Sequence, residues 1–148
     1  MIRTVYDTNV LASGAAATRG ILFAIIDPLT TGRITLVISF HIVEELENTL
    51  TKPYFMSRMR SKDIDTFLSL MSRVADVIPI TLTVQGIATH PEDDLVLVTA
   101  LSGNADYLVT GDKGLLNVGS YRGVTIVTPR AFLDVLDNDS GYTTTSST

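Results

Sequence analysis

The sequence predicts an α/β fold in which a mostly parallel sheet lies between two layers of helices. Short runs rich in β-branched and apolar residues recur along the chain, and segments with helical periodicity separate them. Because a helix between two strands returns the chain to the starting edge of the sheet, this alternation is typical of parallel strands. We therefore predict a three-layer α/β/α sandwich of Rossmann-like type.

Five short runs are predicted as strands, because each is rich in the β-branched and aromatic residues that favour extended structure. They are IRTVY at 2–6, RITLVI at 33–38, VIPI at 77–80, YLVT at 107–110 and VTIVT at 124–128.

Five segments are predicted as helices from the spacing of their apolar residues. They are TRGILFAIIDPL at 18–29, SFHIVEELENTL at 39–50, SKDIDTFLSLMSRVA at 61–75, DLVLVTAL at 94–101 and PRAFLDVL at 129–136. We expect the first to end near Asp27, before Pro28, and Ser39 to be the N-cap of the second. The fourth alternates like a strand, but Pro91 and the acids after it favour a helix start.

Length and composition indicate one folded domain with a tail. The chain has 148 residues, of which 45% are hydrophobic and 18% charged, so it can bury a core and is not disordered throughout. The last stretch, DNDSGYTTTSST, is polar and has no aliphatic residue. We predict a folded unit at residues 1–136 and a disordered tail at 137–148.

Several classes of protein are excluded or disfavoured. The chain has no cysteine, which rules out disulfides, thiolate nucleophiles and cysteine-ligated metals. No apolar run approaches the roughly 18 residues of a membrane span, and the first strand begins at once, so we expect a cytoplasmic protein. The net charge of −5 argues against purely electrostatic binding of nucleic acid. It does not exclude a nuclease whose acids hold metal ions.

Acidic residues follow the predicted strands at the edge where the carboxyl ends of parallel strands meet. Asp7 follows the first strand, Asp112 follows YLVT, and the acids at 93 and 94 open a helix. Oxygen ligands in this number suit Mg²⁺ or Mn²⁺. A zinc site is not expected, because the two histidines, His41 and His90, lack zinc-ligand spacing.

Simpler interpretations stay open for each acid. Asp7 can be an ordinary helix cap, and Asp112 can be an ordinary turn residue. Helical angles place Glu45 and Glu47 on opposite flanks of the apolar face of their helix and Glu44 nearly opposite it, so geometry does not choose among them. Asp106 precedes its strand and is therefore expected to be a turn residue.

Four segments together resemble the PIN domain family, and in particular its prokaryotic toxins related to VapC. They are DTNVL at 7–11, SFHIVEEL at 39–46, PEDDLVLVTA at 91–100 and ADYLVTGDKGLL at 105–116. The resemblance covers residues 2–136, and the combination of segments is specific although each alone is weak. It implies a parallel sheet with strand order 3-2-1-4-5.

The resemblance further implies a Mg²⁺- or Mn²⁺-dependent endoribonuclease. The implied metal ligands are Asp7, Glu45, Asp93 and Asp112, and the polar residues implied to orient them are Asn9 and Thr110. The family branch often has an aspartate where this chain has His90. Asp94 therefore stays an alternative to Asp93 as the third ligand.

The implied partners are an RNA substrate, a cognate antitoxin and a second copy of the chain, with no membrane. One alternative is a catalytically idle PIN-like module that binds RNA or a protein. Another is a phospho-accepting receiver domain, which we disfavour. A receiver would have a further acid near the first strand and a lysine after its last strands, whereas this chain has Arg3 and Thr128-Pro129 there.

Overall fold

The computed structural model describes residues 1–82 and 91–147, without the side chains of residues 91–93 and 140–147. The described residues form one six-stranded sheet with the order β3-β2-β1-β4-β6-β5. The strands are β1 (Arg3–Tyr6), β2 (Thr35–Ile38), β3 (Asp76–Val77), β4 (Tyr107–Val109), β5 (Ser120–Tyr121) and β6 (Val124–Val127). The helices are α1 (Thr8–Ala16), α2 (Ile21–Ala24), α3 (Asp27–Thr30), α4 (Phe40–Leu50), α5 (Pro53–Met56), α6 (Ser61–Val74), α7 (Pro91–Ser102), α8 (Lys113–Val118) and α9 (Pro129–Ser147).

Four of the five predicted strands are present over most of their predicted length. Of the third, VIPI at 77–80, only Val77 lies in a strand, because β3 is the short segment Asp76–Val77. The order of the strands is the expected one. β1 lies between β2 and β4, β3 pairs with β2, and β6 pairs with β4, all in parallel. The α/β class is therefore confirmed. The sequence did not predict β5, which pairs antiparallel with β6 at the edge of the sheet. Its two-residue hairpin turn uses positive φ at Arg122 and at Gly123, a conformation that favours glycine.

The segment at 18–29 is not the single helix that the sequence predicts. It forms α2 and α3, separated at Ile25 and Ile26. The hydroxyl of Tyr6 donates to the carbonyl oxygen of Ile25 at 2.6 Å, so that buried carbonyl is bonded outside the helix. Pro28 lies in the first turn of α3, where its missing N–H is tolerated, instead of ending a helix. The prediction of one helix is therefore wrong.

α1 was not predicted, because its short sequence TNVLASGAA is rich in small residues and lacks a broad apolar stripe.

α7 is a helix as predicted. Its segment Val96–Val98 is completely or almost completely buried. A helix buried on several sides has apolar residues all round, which explains why its sequence also resembles a strand.

The C-terminal helix α9 extends from Pro129 to Ser147, beyond the predicted end near 136. Phe132 anchors its first part in the core, with its ring edge-to-face on Tyr6 at a centroid distance of 5.8 Å. Because the side chains of 140–147 lie outside the described residues, the domain boundary at 136 and the disordered tail stay predictions.

No single helix among the described residues has the length and apolar composition needed to cross a membrane. Thr8–Ala16 and Ile21–Thr30 reach that length and composition only as a pair, bent by 103°.

A buried pair of hydroxyl groups joins α4 to α7. The oxygen atoms Oγ1 of Thr99 and Oγ of Ser39 are 2.7 Å apart, and Thr99 Oγ1 is also 2.8 Å from the carbonyl oxygen of Leu95. Thr99 is fully buried and Ser39 almost so. Ser39 occupies the N-cap position of α4 as predicted, but its side chain does not cap the helix. It instead holds the start of α4 against α7.

Replacing Thr99 by valine should destabilise the protein by about 1–3 kcal/mol, because it leaves the buried Ser39 hydroxyl without this partner. Urea unfolding measures the change. Thr66→Val is the matched control, since Thr66 is exposed on α6 and makes only the local bond to the Lys62 carbonyl. Equal stability changes in the two variants would show that the link between α4 and α7 contributes nothing.

Candidate active site

Polar residues from three elements meet at the carboxyl edge of the parallel strands. Asp7 directly follows β1, Thr110 follows β4, and α4 begins after β2. Because β1 and β4 are neighbours with Tyr6 opposite Val109, the residues after both strands are brought side by side. The strand order therefore places Asp7 next to Thr110.

Asp7 occupies the N-cap position of α1, but its carboxylate does not make the usual capping bond. Its main-chain carbonyl oxygen accepts the N–H groups of Val10 and Leu11. Its carboxylate oxygen Oδ2 instead accepts the hydroxyl of Thr110 at 2.8 Å, across two strands. The main chain of Asp7 begins the helix, while its side chain points into the group of polar residues.

Thr110 connects the two aspartates. Its hydroxyl donates to Asp7 and accepts the backbone N–H of Asp112 at 3.0 Å. Thr110 is fully buried, so this arrangement is protected from water. Asp112 is the N-cap of α8, and its Oδ2 accepts the N–H of Leu115 at 2.9 Å. Asp112 therefore has the local bonding role that the simpler interpretation expects. It also lies next to Thr110.

The environment of Asp7 disfavours its charged form. Asp7 is only 8% exposed, and this burial is the main reason why its pKa is raised above the ordinary aspartate value. The Thr110 hydroxyl and the Thr8 backbone N–H oppose the rise in pKa, whereas the negative charges of Glu45 and Asp112 add to it. Three acids distant in sequence therefore interact electrostatically.

Among the three glutamates of α4, Glu45 is the one whose negative charge adds to the raised pKa of Asp7. Glu45 is half-buried, whereas Glu44 and Glu47 are exposed. Glu47 lines an apolar groove with Leu68 on α6. α1 packs against α4, the helix that carries these glutamates. The assignment of Glu45 as the ligand stays a prediction.

His41, for which the sequence predicts no metal-binding role, is a neighbour of Glu45. Its Nε2 lies 3.4 Å from Oε2 of Glu45, and within the described part of the chain this buried nitrogen forms no hydrogen bond. The sequence could have indicated this contact, because side chains four residues apart on a helix are neighbours.

Three predicted site residues remain, namely Asn9, Asp93 and Asp94. Asn9 is exposed on α1, and its side chain bonds to none of the described carboxylates. The side chain of Asp93 lies outside the described residues. Asp94 is 7% exposed. The roles of Asn9 and Asp93, and the choice between Asp93 and Asp94, stay predictions.

Asp106 lies at the opposite edge of the sheet, as its position before β4 predicts. Its carboxylate accepts the backbone N–H of Arg3 at 2.9 Å, and the Arg3 guanidinium pairs with Asp76 at 2.8 Å. At this edge, therefore, the Asp76 carboxylate is paired with a cation and the Asp106 carboxylate accepts a backbone N–H.

The donor atoms at the carboxyl edge fit a hard divalent cation. Asp7, Glu45 and Asp112 supply carboxylate oxygens, which Mg²⁺ and Mn²⁺ prefer. Burial is the main cause of the raised pKa of Asp7, and the negative charges of Glu45 and Asp112 add to it, so a nearby cation would favour the ionised form of Asp7. In the part of the chain that the structure describes, no three acidic or imidazole side chains already surround one point. We expect a carboxylate of α7 to complete the set.

The sequence profile of the PIN domain matches residues 3–114, which is most of the chain. The chain belongs to the PIN domain family. PIN domains are nucleases and in general use divalent metal ions, so the resemblance seen in the sequence is confirmed at this level. A comparison with curated proteins finds no match.

A solved structure supports the fold of this PIN domain. It is VapBC2 from Rickettsia felis bound to a DNA fragment from its promoter, and the chain matches it with a TM-score of 0.55 at 14% identity. The match covers 86% of this chain and 98% of the other. At this identity the likeness shows the shared fold.

Asp7→Asn should stabilise the metal-free protein at pH 7 by about 1 kcal/mol, as functional-site replacements often do. The folded state raises the pKa of Asp7, so ionised Asp7 costs stability above that pKa, and the cost fades as the pH falls through it. The gain should therefore shrink as the pH approaches about 4. Urea unfolding in EDTA measures it, and a variant less stable than wild type at pH 7 would contradict this account.

Proposed function

We propose that this PIN domain is a Mg²⁺- or Mn²⁺-dependent endoribonuclease and the toxin of a toxin–antitoxin pair. The observation that carries the proposal is the buried Asp7 carboxylate, held by Thr110 beside Glu45 and Asp112. Acids that perturb one another in this way are typical of catalytic metal sites. Family membership supports a nuclease, and the acid arrangement supports metal-assisted hydrolysis.

Each residue has a defined task in the proposed reaction. Asp7, Glu45 and Asp112, with Asp93 or Asp94, would hold the metal. When bound, the metal activates a water molecule for attack on a phosphodiester and offsets charge on the phosphate. Thr110 donates to Oδ2 of Asp7 and so fixes the direction of that carboxylate. Its burial keeps water from competing for this bond.

An apolar groove supports the proposal of protein partners. The groove, about 400 Å³ in volume, lies between α4 and α6. Phe40 beside it is 75% exposed and Val77 is 50% exposed. An antitoxin or a second copy of the chain is the proposed occupant of such apolar surface. The solved structure that shares the fold, VapBC2, is by its name a VapBC complex, which supports an antitoxin. A cytoplasmic location remains part of the proposal.

A catalytically idle binding module is the second candidate. It is favoured by the net charge of −5, which disfavours RNA in the absence of metal. The two candidates differ in metal binding and in products. An idle module would leave RNA intact with Mn²⁺, whereas the proposed nuclease would shorten it and lose that activity in EDTA.

Glu45→Gln should lower the rate of RNA cleavage about 100-fold or more, because a lost charged ligand is commonly worth several kcal/mol of transition-state stabilisation. It should also weaken Mn²⁺ binding measured by calorimetry. Glu47→Gln and Glu44→Gln, at exposed positions on the same helix, are the matched controls and should change the rate little. If Glu45→Gln cleaves RNA and binds Mn²⁺ as its controls do, Glu45 is not a ligand.

Asp93→Asn should remove most cleavage activity, whereas Asp94→Asn should cause at most a partial loss. The comparison tests the register implied by the resemblance, and RNA cleavage with Mg²⁺ under identical conditions measures it. The opposite result, with Asp94→Asn inactive and Asp93→Asn active, would identify Asp94 as the third ligand.

A further inference from the structure

A second groove lies at the same edge of the sheet as the acids. It has a volume of about 480 Å³ and is lined by residues that include Arg19, Leu22, Thr128, Pro129 and Arg130. Its two sides come from the segment around α2 and from the start of α9. We call it the arginine groove.

The arginine groove begins one strand away from the candidate active site. The backbone N–H of Thr110 donates to the carbonyl oxygen of Val127 at 3.0 Å, and Thr128 follows directly. Neighbouring strands are about 4.8 Å apart. The edge of the groove at Thr128 is therefore about 5 Å from the main chain of Thr110, whose hydroxyl holds Asp7.

The charge of the groove is opposite to that of the whole chain. Arg19 and Arg130 are both exposed, and neither forms an ion pair with any described carboxylate. Among the described lining residues there is no acid. Two unneutralised guanidinium groups therefore lie beside an acidic site, on a protein with a net charge of −5. With a cation held by the acids, a ligand that fits both features carries several negative charges and extends from the acids to the groove.

The apolar residues that line the groove further restrict the chemistry of its ligand. Leu22 and Pro129 contribute apolar surface to the same groove as the two cations. Guanidinium groups bind phosphates through paired N–H donors, and apolar surface accepts the faces of unpaired bases and sugars. A single-stranded polynucleotide presents both kinds of group along one chain, with its bases accessible. A metal-held scissile phosphate at Asp7 would leave the flanking nucleotides near this groove.

We propose that the arginine groove binds phosphates of single-stranded RNA beside the bond that is cut, with Arg19 and Arg130 as the phosphate contacts. The inference rests on the proposed function, because it takes the acids at Asp7 as the point of cleavage. It assigns the two arginines to substrate binding and gives them no part in the chemical step.

The test measures binding without cleavage. Anisotropy of a labelled oligouridylate is followed in the full chain carrying Asp7→Asn, so that the RNA stays intact, over about 50 to 200 mM salt. Arg19→Gln and Arg130→Gln are added singly and together to this background. Arg73→Gln is the matched control, because Arg73 is an exposed arginine on α6 outside the groove. Thermal unfolding verifies that each variant is folded.

The double variant should bind the RNA about tenfold more weakly at the low-salt end. Each lost phosphate contact should reduce the slope of log affinity against log salt by about 0.7. Arg73→Gln should leave both the affinity and the slope unchanged. If the double variant binds like Arg73→Gln, or if the Asp7→Asn chain binds no RNA, the assignment of the groove is wrong.

A competition experiment distinguishes an RNA ligand from an acidic protein partner. An oligoglutamate of equal charge should displace the RNA poorly, because it offers no bases for the apolar lining. Displacement as strong as that by unlabelled RNA, lost in the double variant, would identify the groove as a docking site for acidic peptide and overturn the proposal. The proposed function fails separately, if Glu45→Gln retains cleavage while the arginine variants lose binding.

Discussion

The site depends on one unfavourable arrangement, the burial of the Asp7 carboxylate beside two other acids. Burial and the charges of Glu45 and Asp112 raise the pKa of Asp7, and the hydroxyl of Thr110 only partly offsets the cost. In a fold that needed Asp7 only as a helix cap, its side chain would accept an N–H from the second or third residue of α1, and this capping bond is not present. The cost of this buried charge is understandable when a cation belongs to the site, because a nearby cation favours the ionised carboxylate.

The strand order and the packing of the helices bring the acids of the site together. Pairing of β1 with β4 sets Asp7 beside Thr110, and the packing of α1 against α4 brings Glu45 close. The buried pair of Ser39 and Thr99 fixes the start of α4 against α7, the helix that carries Asp93 and Asp94. Asp7 and Glu45 are thus carried by elements that are packed against their neighbours. The same edge continues past Thr128 into the arginine groove, so the proposed catalytic and substrate-binding surfaces share one rim.

The fold was largely predictable because its strands are short β-branched runs separated by helical periodicity, and the strand order followed from the resemblance. The errors have local causes. The short β5 has too few residues to form a pattern, and the helix predicted at 18–29 is divided where the Tyr6 hydroxyl takes the Ile25 carbonyl, a contact between distant residues. Likewise, periodicity could not choose among the glutamates of α4, because the choice depends on where α1 packs. Only the resemblance selected Glu45, the glutamate whose charge reaches Asp7.

The central claim is that Asp7 is held in an environment that favours its neutral form until a cation binds. Carboxyl ¹³C shifts, followed by NMR against pH with and without Mg²⁺, test it most directly. Without metal, Asp7 should titrate above the ordinary aspartate pKa of about 3.9, and Mg²⁺ should lower its pKa. Asp63, whose pKa the neighbouring Arg60 lowers, is the internal control and should not respond to Mg²⁺. An Asp7 pKa at or below the ordinary value without metal, or one that Mg²⁺ leaves unchanged, would contradict the account.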